Sequence, residues 1–474
     1  MTETWTADIC VIGAGSAGLT VAAGASQMGA DSVLVERGAM GGDCLNYGCV
    51  PSKSLLAAAK AATLNGTAHR MGVRFEPPTI DFSGVHGHVH DVIATIAPHD
   101  SQERYEGLGV RVIRDTARFV GPREIEAGGT RVRARRFVVA TGSKPFVPPL
   151  PGLDEVDYLT NETVFALSEL PEHLIVIGGG PIGCELSQAF RRLGAQVSLV
   201  EMASLLPNDD PELVDVVRTR LRADGMNLYE RALATAVRRN GAGLTLEIER
   251  NGARETLSGS ALLVAVGRQP AIEDMDLEAA GIAYDRRGIQ VDGRLRTTNP
   301  KAYAAGDVAG GYQFTHIAGY HAGVVLKNAL FRLPAKADSR AVPRVTYTEP
   351  ELAQVGMSEA AARDRHAQIR VLRWPFAEND RARCEHQDDG FVKVVTTARG
   401  RILGASLVGA HAGELIQPWV LALSKGLNIG AVAQMIAPYP TLGEVNKRAA
   451  GSFYTPGLFS ARTRALVRFL AKFG

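Results

Sequence analysis

One local pattern occurs twice in this chain and narrows the fold more than any other feature. An apolar strand at residues 9–12 runs into Gly13-Ala14-Gly15-Ser16-Ala17-Gly18. An Ala-rich stretch from Ser16 to about Met28 follows, and then Val33-Leu34-Val35 ends at Glu36. Further on, the strand at 174–177 runs into Gly178-Gly179-Gly180-Pro181-Ile182-Gly183, and the strand at 197–200 ends at Glu201. In both copies the acid stands 18 residues beyond the last glycine. Glycines allow the tight turn and let the backbone approach a pyrophosphate closely. The helix behind the turn offers free N–H groups and the positive end of its dipole. The acid is placed to accept hydrogen bonds from ribose hydroxyls. Gly13, Gly15, Gly18 and Glu36 therefore read as one dinucleotide site, and Gly178, Gly180, Gly183 and Glu201 as a second. Two such units predict two different nucleotides and an α/β chain with two Rossmann-like domains.

A chain of 474 residues divides into several domains at roughly 100–200 residues each. The glycine turns place a first domain at 1–150 and a nucleotide domain at 151–270, parted by Pro145, Pro148, Pro149 and Pro151. Residues 271–342 return to the first domain through Ala305-Gly306-Asp307. From about Pro343 strands and helices alternate differently, which predicts a separate α+β domain over 343–474. Charged residues make up 22% and the net charge is +2, so neither nucleic acid nor an anionic membrane is expected as the main partner. No series typical of a secretory signal leads the chain, and no run of about 20 apolar residues appears. The expected compartment is the cytoplasm.

Five cysteines, Cys10, Cys44, Cys49, Cys184 and Cys384, are too few and too scattered for a secreted disulfide scaffold. Cys44 and Cys49 stand close together in Gly41-Gly42-Asp43-Cys44-Leu45-Asn46-Tyr47-Gly48-Cys49-Val50-Pro51-Ser52-Lys53. Soon after a dinucleotide turn, such a pair reads as an electron relay from a redox cofactor to a disulfide and onward. Two packed structural cysteines are the plainer alternative. The thiolate is the reactive form, and a cation or a helix N-terminus favours it. Lys53, one helical turn beyond Cys49, supplies such a cation.

These stretches together resemble the class I pyridine nucleotide-disulfide oxidoreductases, the group of dihydrolipoamide dehydrogenase, glutathione reductase and mercuric reductase. The likeness covers essentially the whole chain. The cysteine stretch is similar to the family's G-G-T-C-L-N-x-G-C-x-P-S-K, with Asp43 in place of Thr. Ala140-Thr141-Gly142-Ser143 resembles its A-T-G, Gly267-Arg268-Gln269-Pro270 its G-R-x-P, and Ala305-Gly306-Asp307 its A-G-D. The resemblance implies FAD in the first site, a nicotinamide nucleotide in the second and a homodimer formed by the C-terminal domain. It implies that Cys49 faces the flavin and that Cys44 is the interchange thiol. It further implies that Lys53 pairs with Glu185 beside the flavin, and that the Ala117 backbone meets the adenine side of FAD. Thr141, Gly142, Ser143 and Asp307 are expected around FAD, and Gly267 and Glu185 around NAD. His316 is expected either near the flavin or as a structural histidine. A carboxylate at Glu201 repels a 2′-phosphate, and Met202-Ala203-Ser204 adds no cation, so NADH is expected over NADPH.

One departure bears on the substrate. Disulfide reductases of this group carry a His-Pro-Thr stretch whose histidine serves the interchange thiol of the partner subunit. Here the stretch is Pro438-Tyr439-Pro440-Thr441-Leu442-Gly443-Glu444. Tyr439 replaces the histidine, while Glu444, which orients it in relatives, remains. Tyrosine titrates near pH 10 and is a poor base at pH 7. Losing a positioned acid/base typically costs about 10²–10⁴ in rate. Tyrosine here resembles mercuric reductases, whose substrate is a soft metal ion suited to thiolates. The chain ends Phe469-Leu470-Ala471-Lys472-Phe473-Gly474, without the cysteine pair of those enzymes, so a mercuric-reductase-like activity on an unnamed oxidant is expected. A soft metal ion, a quinone and a reactive electrophile are the candidates. Dihydrolipoamide dehydrogenase is the main rival, and a flavoprotein docking module of a larger complex is the rival of another class.

No resident metal site is expected. His86, His88 and His90 read as chance clustering, Cys384 as a surface cysteine, and Cys10 and Cys184 as core. The tail at 458–473 carries Arg462, Arg464, Arg468 and Lys472 among Leu, Val and Phe. It reads as a terminal helix packing on its own dimer or as an amphipathic contact to a membrane surface, the former being expected.

Overall fold

A computed structural model describes residues 3–473 and divides them into two compact units. The first holds the chain up to Ala58, Ile80–Gly178 and Ala234–Asp338; the second holds Ala59–Thr79, Gly179–Leu233 and the chain from Ser339.

The first unit is built on a sheet of β1 (Glu3–Ile12), β2 (Ser32–Val35), β3 (Val110–Ile113), β4 (Arg118–Gly121), β5 (Glu124–Ala127) and β6 (Thr130–Val139). Their order is β3-β2-β1-β6-β5-β4. β1 pairs in parallel with both β2 and β6, setting Ile9 opposite Ser32 on one side and Arg136 on the other. The distant strand Ala302–Ala304 pairs in parallel with β6 and completes seven strands. Successive side chains on a strand point to opposite faces, and β1 shows this directly. Ile9 and Val11 join the core beneath helix α1 (Ser16–Gln27), while Cys10 and Ile12 join the opposite core with Phe119 and Phe137. A strand covered on both faces must be apolar at consecutive positions. Burying a side chain such as Phe137 contributes about 1.5–3 kcal/mol. The helix Thr315–Ala329 packs on α1, where Leu326 lies so close to Gly24 that a Cβ there would meet it at 2.7 Å.

In the second unit a five-stranded antiparallel sheet runs Pro343–Thr346, Glu351–Gly356, Ile402–Gly409, Phe391–Thr397, Ile369–Pro375 in spatial order. Helices Gln417–Ser424 and Glu444–Gly451 bury Trp419, Val445 and Ala449 against it. Trp419 Nε1 donates to Asn446 Oδ1 at 2.7 Å, so the buried indole keeps a partner. Lys393, with 3% of its side chain exposed, sits among Asp210 (2.8 Å), Glu359 (2.8 Å) and Glu212 (3.3 Å).

Three helical stretches are broken. The run from Pro51 to about Ala68 is α3 (Cys49–Ala62) followed by Leu64–Ala68. At the break, Thr63 turns its hydroxyl to the Lys60 carbonyl at 2.8 Å, a local bond that competes with the helix ladder. The run at 413–425 is Ala412–Leu415 and Gln417–Ser424, and Pro418 opens the latter. The tail is Thr455–Leu458 and Ala461–Leu470, with Ser460 capping the second through the Thr463 N–H. His86, His88 and His90 lie on the helix Phe82–Ile96.

Candidate active site

Cys44 lies on the short helix α2 (Gly42–Asn46), and Cys49 is the first residue of α3. The two thiols are free and hydrogen-bonded to each other. Cys49 Sγ also lies 3.3 Å from the hydroxyl of Thr315, the first residue of the Thr315–Ala329 helix. The donation from Cys44, then the Thr315 hydroxyl and the Lys53 ammonium, overcome burial and bring the Cys49 pKa down to about 6. Cys44 is pushed the opposite way, first by that same hydrogen bond and then by burial. The pair therefore loses its first proton from Cys49, at the start of a helix where a thiolate is favoured. Lys53 Nζ reaches Ser52 Oγ at 3.4 Å.

Asp43 holds the loop between the cysteines. Its Oδ1 accepts from Asn161 Nδ2 at 3.0 Å and faces Arg268 Nη2 at 3.0 Å. Its Oδ2 lies against Gly48, where a Cβ would meet it at 2.8 Å. Arg268 in turn donates to Ser143 Oγ at 2.8 Å and to the Ser143 carbonyl at 2.9 Å. Ser143 Oγ donates to Asp307 Oδ2 at 2.6 Å. Burial pushes the Asp307 pKa up, against the pull of Ser143 and Arg268. The short strands Ser143–Pro145 and Arg268–Pro270 pair antiparallel, which brings two of the sequence motifs side by side. Thr141 Oγ1 donates to the Ala271 carbonyl at 2.6 Å. Gly142 and Gly267 adopt φ of 71° and 132°. The next strand places Ala305-Gly306-Asp307 at the end of the sheet, and Gly306 N donates to His321 Nδ1 at 3.3 Å. His316 stacks on Phe314, with ring centroids 5.2 Å apart.

Both glycine turns have the same construction. Gly13 has φ 104° and a Cβ there would meet the Ala140 carbonyl at 2.4 Å; Gly178 has φ 112° and a Cβ would meet the Ala265 carbonyl at 2.4 Å. Glu36 accepts from Ala14 N at 2.5 Å and Gly38 N at 2.6 Å. Glu201 accepts from Gly179 N at 2.6 Å and Ala203 N at 2.8 Å. Gly15 caps α1 and Gly180 caps the helix Pro181–Arg192, neither with a side-chain hydrogen bond. First-turn N–H groups are thus left for an anion. Gly18 and Gly183 are buried inside these helices. Gly15, Glu36, Asp307 and the buried Ala117 lie in the same unit, and this donor and acceptor set fits a flavin dinucleotide.

In the second unit Glu185 is buried and Oε1 accepts from Tyr347 N at 2.9 Å. Tyr439 is 69% exposed and donates to Asp380 Oδ2 at 3.0 Å. That carboxylate is the main reason its phenol titrates above the ordinary value, with Glu444 and Cys384 pushing the same way. Glu444 opens the helix Glu444–Gly451, and Cys384 is exposed at the end of Asp380–Cys384. Cys10 and Cys184 are buried, which pushes both thiols up and leaves them inert. Among the described residues, no three His, Cys, Asp or Glu side chains gather as a metal site. Thr315 and Asp380 were not singled out from the sequence. Asp43 and Arg268 were noted only as motif letters, although an acid replacing Thr beside Cys44 was a signal.

Residues 7–322 match the model described as pyridine nucleotide-disulphide oxidoreductase, and residues 342–450 that of the dimerisation domain of the same group. Mercuric reductase of Staphylococcus aureus is 35% identical over 94% of this chain and 82% of its own length. Dihydrolipoyl dehydrogenase of Thermus scotoductus is 36% identical over 95% of this chain and 98% of its own. Among solved structures, the Cu(II) complex of the HOCl-induced flavoprotein disulfide reductase RclA from Escherichia coli superposes with TM-score 0.84. It is 30% identical, over 93% of this chain and 98% of that one.

Proposed function

This chain belongs to the pyridine nucleotide-disulphide oxidoreductase family, and from that premise we propose that it passes two electrons from NADH through Cys44 and Cys49 to a small, soft oxidant, foremost a thiophilic metal ion. It is an FAD-dependent oxidoreductase that uses NAD(P)H and carries the family's dimerisation domain. FAD, held at the first glycine turn, would supply the two-electron chemistry that links the nicotinamide nucleotide to the disulfide.

The side chains have distinct tasks in this reading. Residues 1–150 and 271–342 hold FAD, with Gly13, Gly15 and Gly18 leaving room for its pyrophosphate and Glu36 and Asp307 engaging its hydroxyls. Residues 151–270 hold NADH, with Glu201 opposing a 2′-phosphate. The homodimer forms through the dimerisation domain, matched over residues 342–450. Lys53 and Thr315 favour the thiolate of Cys49, while Cys44 holds the proton between them and meets the oxidant. At pH 7 two electrons and one proton convert the disulfide to the Cys44 thiol and the Cys49 thiolate. The pair then returns two electrons to the oxidant, releases that proton and closes again as the disulfide.

Tyr439 carries the choice of oxidant. Its phenol already donates to Asp380 and titrates high, so it cannot accept a proton from a thiol at pH 7. A metal ion reduced at the thiols needs no proton on a leaving group. Relatives named as mercuric reductases support this reading, and the solved RclA structure binds Cu(II), while relatives named as dihydrolipoyl dehydrogenases match at similar identity.

The test is anaerobic titration with NADH, followed by Hg(II), Cu(II), a quinone and lipoamide in turn. A long-wavelength band should grow on two-electron reduction and vanish in Cys49→Ser. Rapid reoxidation by a metal ion with slow lipoamide turnover supports the proposal. Lipoamide turnover at a comparable rate would overturn it.

A further inference from the structure

Beyond Glu444 the chain has no acidic residue, yet it carries Lys447, Arg448, Arg462, Arg464, Arg468 and Lys472. The last four belong to the Ala461–Leu470 helix and its end. The match to the dimerisation domain stops at residue 450, so this helix lies outside the segment the family model covers.

The helix has two faces. At 3.6 residues per turn, Arg464, Arg468 and Lys472 fall on one stripe, and Leu466, Phe469, Leu470 and Phe473 on the other, with Arg462 at the N-terminal end of the apolar side. None of its residues is buried. Leu466, Phe469 and Leu470 are each 54–55% exposed, and Phe473 is 74% exposed. Phe469 and Phe473 meet edge to face at 5.1 Å, joining their rings in one apolar ridge. Ser460 and Arg464 anchor the start of the helix, through the Thr463 N–H and the Phe459 carbonyl.

We propose that this helix lies on an anionic lipid surface, its Leu and Phe ridge in the interface and its cations against the headgroups. The charge pattern selects this occupant over a second copy of the chain. Two such helices facing each other bring like charges together with no carboxylate on either to offset them. A bilayer of anionic lipid offers apolar depth and negative charge at once, which is what an interfacial helix of this composition matches. Among the described residues no helix is long and apolar enough to cross a membrane, so the contact is peripheral.

The test uses the full-length FAD-loaded enzyme and vesicles of phosphatidylcholine, with or without phosphatidylglycerol, in a flotation assay. Binding is expected only to the phosphatidylglycerol vesicles, falling at least about tenfold in high salt. The triple variant Arg464→Glu, Arg468→Glu, Lys472→Glu should lose at least about tenfold in partition. Leu466→Ser with Phe469→Ser should weaken binding too, while flavin content and NADH-dependent reduction of the cysteines stay unchanged. Failure of the parent enzyme to bind phosphatidylglycerol vesicles would overturn the proposal. So would equal partition of parent and variants, or a loss of dimer in either variant on size exclusion, which would make the helix a subunit contact.

Discussion

Arg268 Nη2 and Asp43 Oδ1 face each other at 3.0 Å, with only 11% of the arginine side chain exposed. The acid stands next to Cys44 and opposes ionisation of both thiols. Asp43→Asn removes that opposition. The Cys49 thiolate should then persist to lower pH, and the disulfide should become easier to reduce. Equilibration in glutathione buffers should show its potential raised by on the order of 30 mV, a tenfold change for a two-electron couple. An unchanged potential would leave Asp43 with a packing role alone.

The Cys49 pKa lies below its ordinary value of about 9, at about 6. A depressed thiol contributes stability that is fully present above the ordinary value and is lost as pH falls through the lower one. In the two-electron-reduced enzyme the thiolate band should halve near pH 6. Cys44→Ala removes the largest favourable contact, so the midpoint should move up, and by more than in Thr315→Val. Spectra recorded between pH 5 and 9, a range set by the titration of thiols, would decide this.

Tyr439→His should restore an acid/base to the C-terminal stretch. Lipoamide turnover should rise by about 10-fold or more, within the range such groups supply, and acquire a pH profile with an inflection in the imidazole range. Tyr439→Phe should leave metal-ion reduction within about threefold of the parent. A large loss of metal-ion reduction in Tyr439→Phe would make the phenol a participant.

Nucleotide choice is measured directly as kcat/KM for NADH against NADPH. A preference for NADH of at least about tenfold is expected, equal to about 1.4 kcal/mol. Glu201→Ala should narrow it by improving NADPH use more than it harms NADH. Equal use of both by the parent enzyme would remove the role given to Glu201.

Lys393 holds Asp210 and Glu359 at 2.8 Å each inside the second unit. Lys393→Met leaves the buried Asp210 without its cation, whereas Glu359 keeps Arg363, and breaking one side of a buried pair costs about 3–5 kcal/mol. Urea unfolding of the FAD-loaded enzyme should show a loss of that order, with the NADH-reduced spectrum intact in the folded fraction.

What the sequence made legible was local. A strand, a glycine turn and a helix are neighbours in the chain, so both nucleotide turns, with Glu36 and Glu201 following them, could be read directly; that each acid folds back onto the N–H groups of its own turn could not. The cysteine pair was equally plain because its two members share one short segment. Partners brought from afar could not be read. Thr315 reaches Cys49 only because the Thr315–Ala329 helix packs on α1, and Arg268 reaches Asp43 only because two three-residue strands pair. Asp380 was invisible as the partner of Tyr439 for the same reason. The break at Thr63 turned on one hydroxyl choosing a carbonyl, a contest that Ala/Leu composition conceals.

The strand Ala302–Ala304 lies against β6, yet it enters the chain after both glycine turns and both cysteines. A ribosome thus completes the redox segment and the second turn long before the first sheet can close. Until that strand emerges, β6 keeps an open edge and Asp307 does not exist. Assembly of the flavin-side centre is therefore a late event in biosynthesis, and nascent chains of this protein spend most of translation as an unfinished sheet.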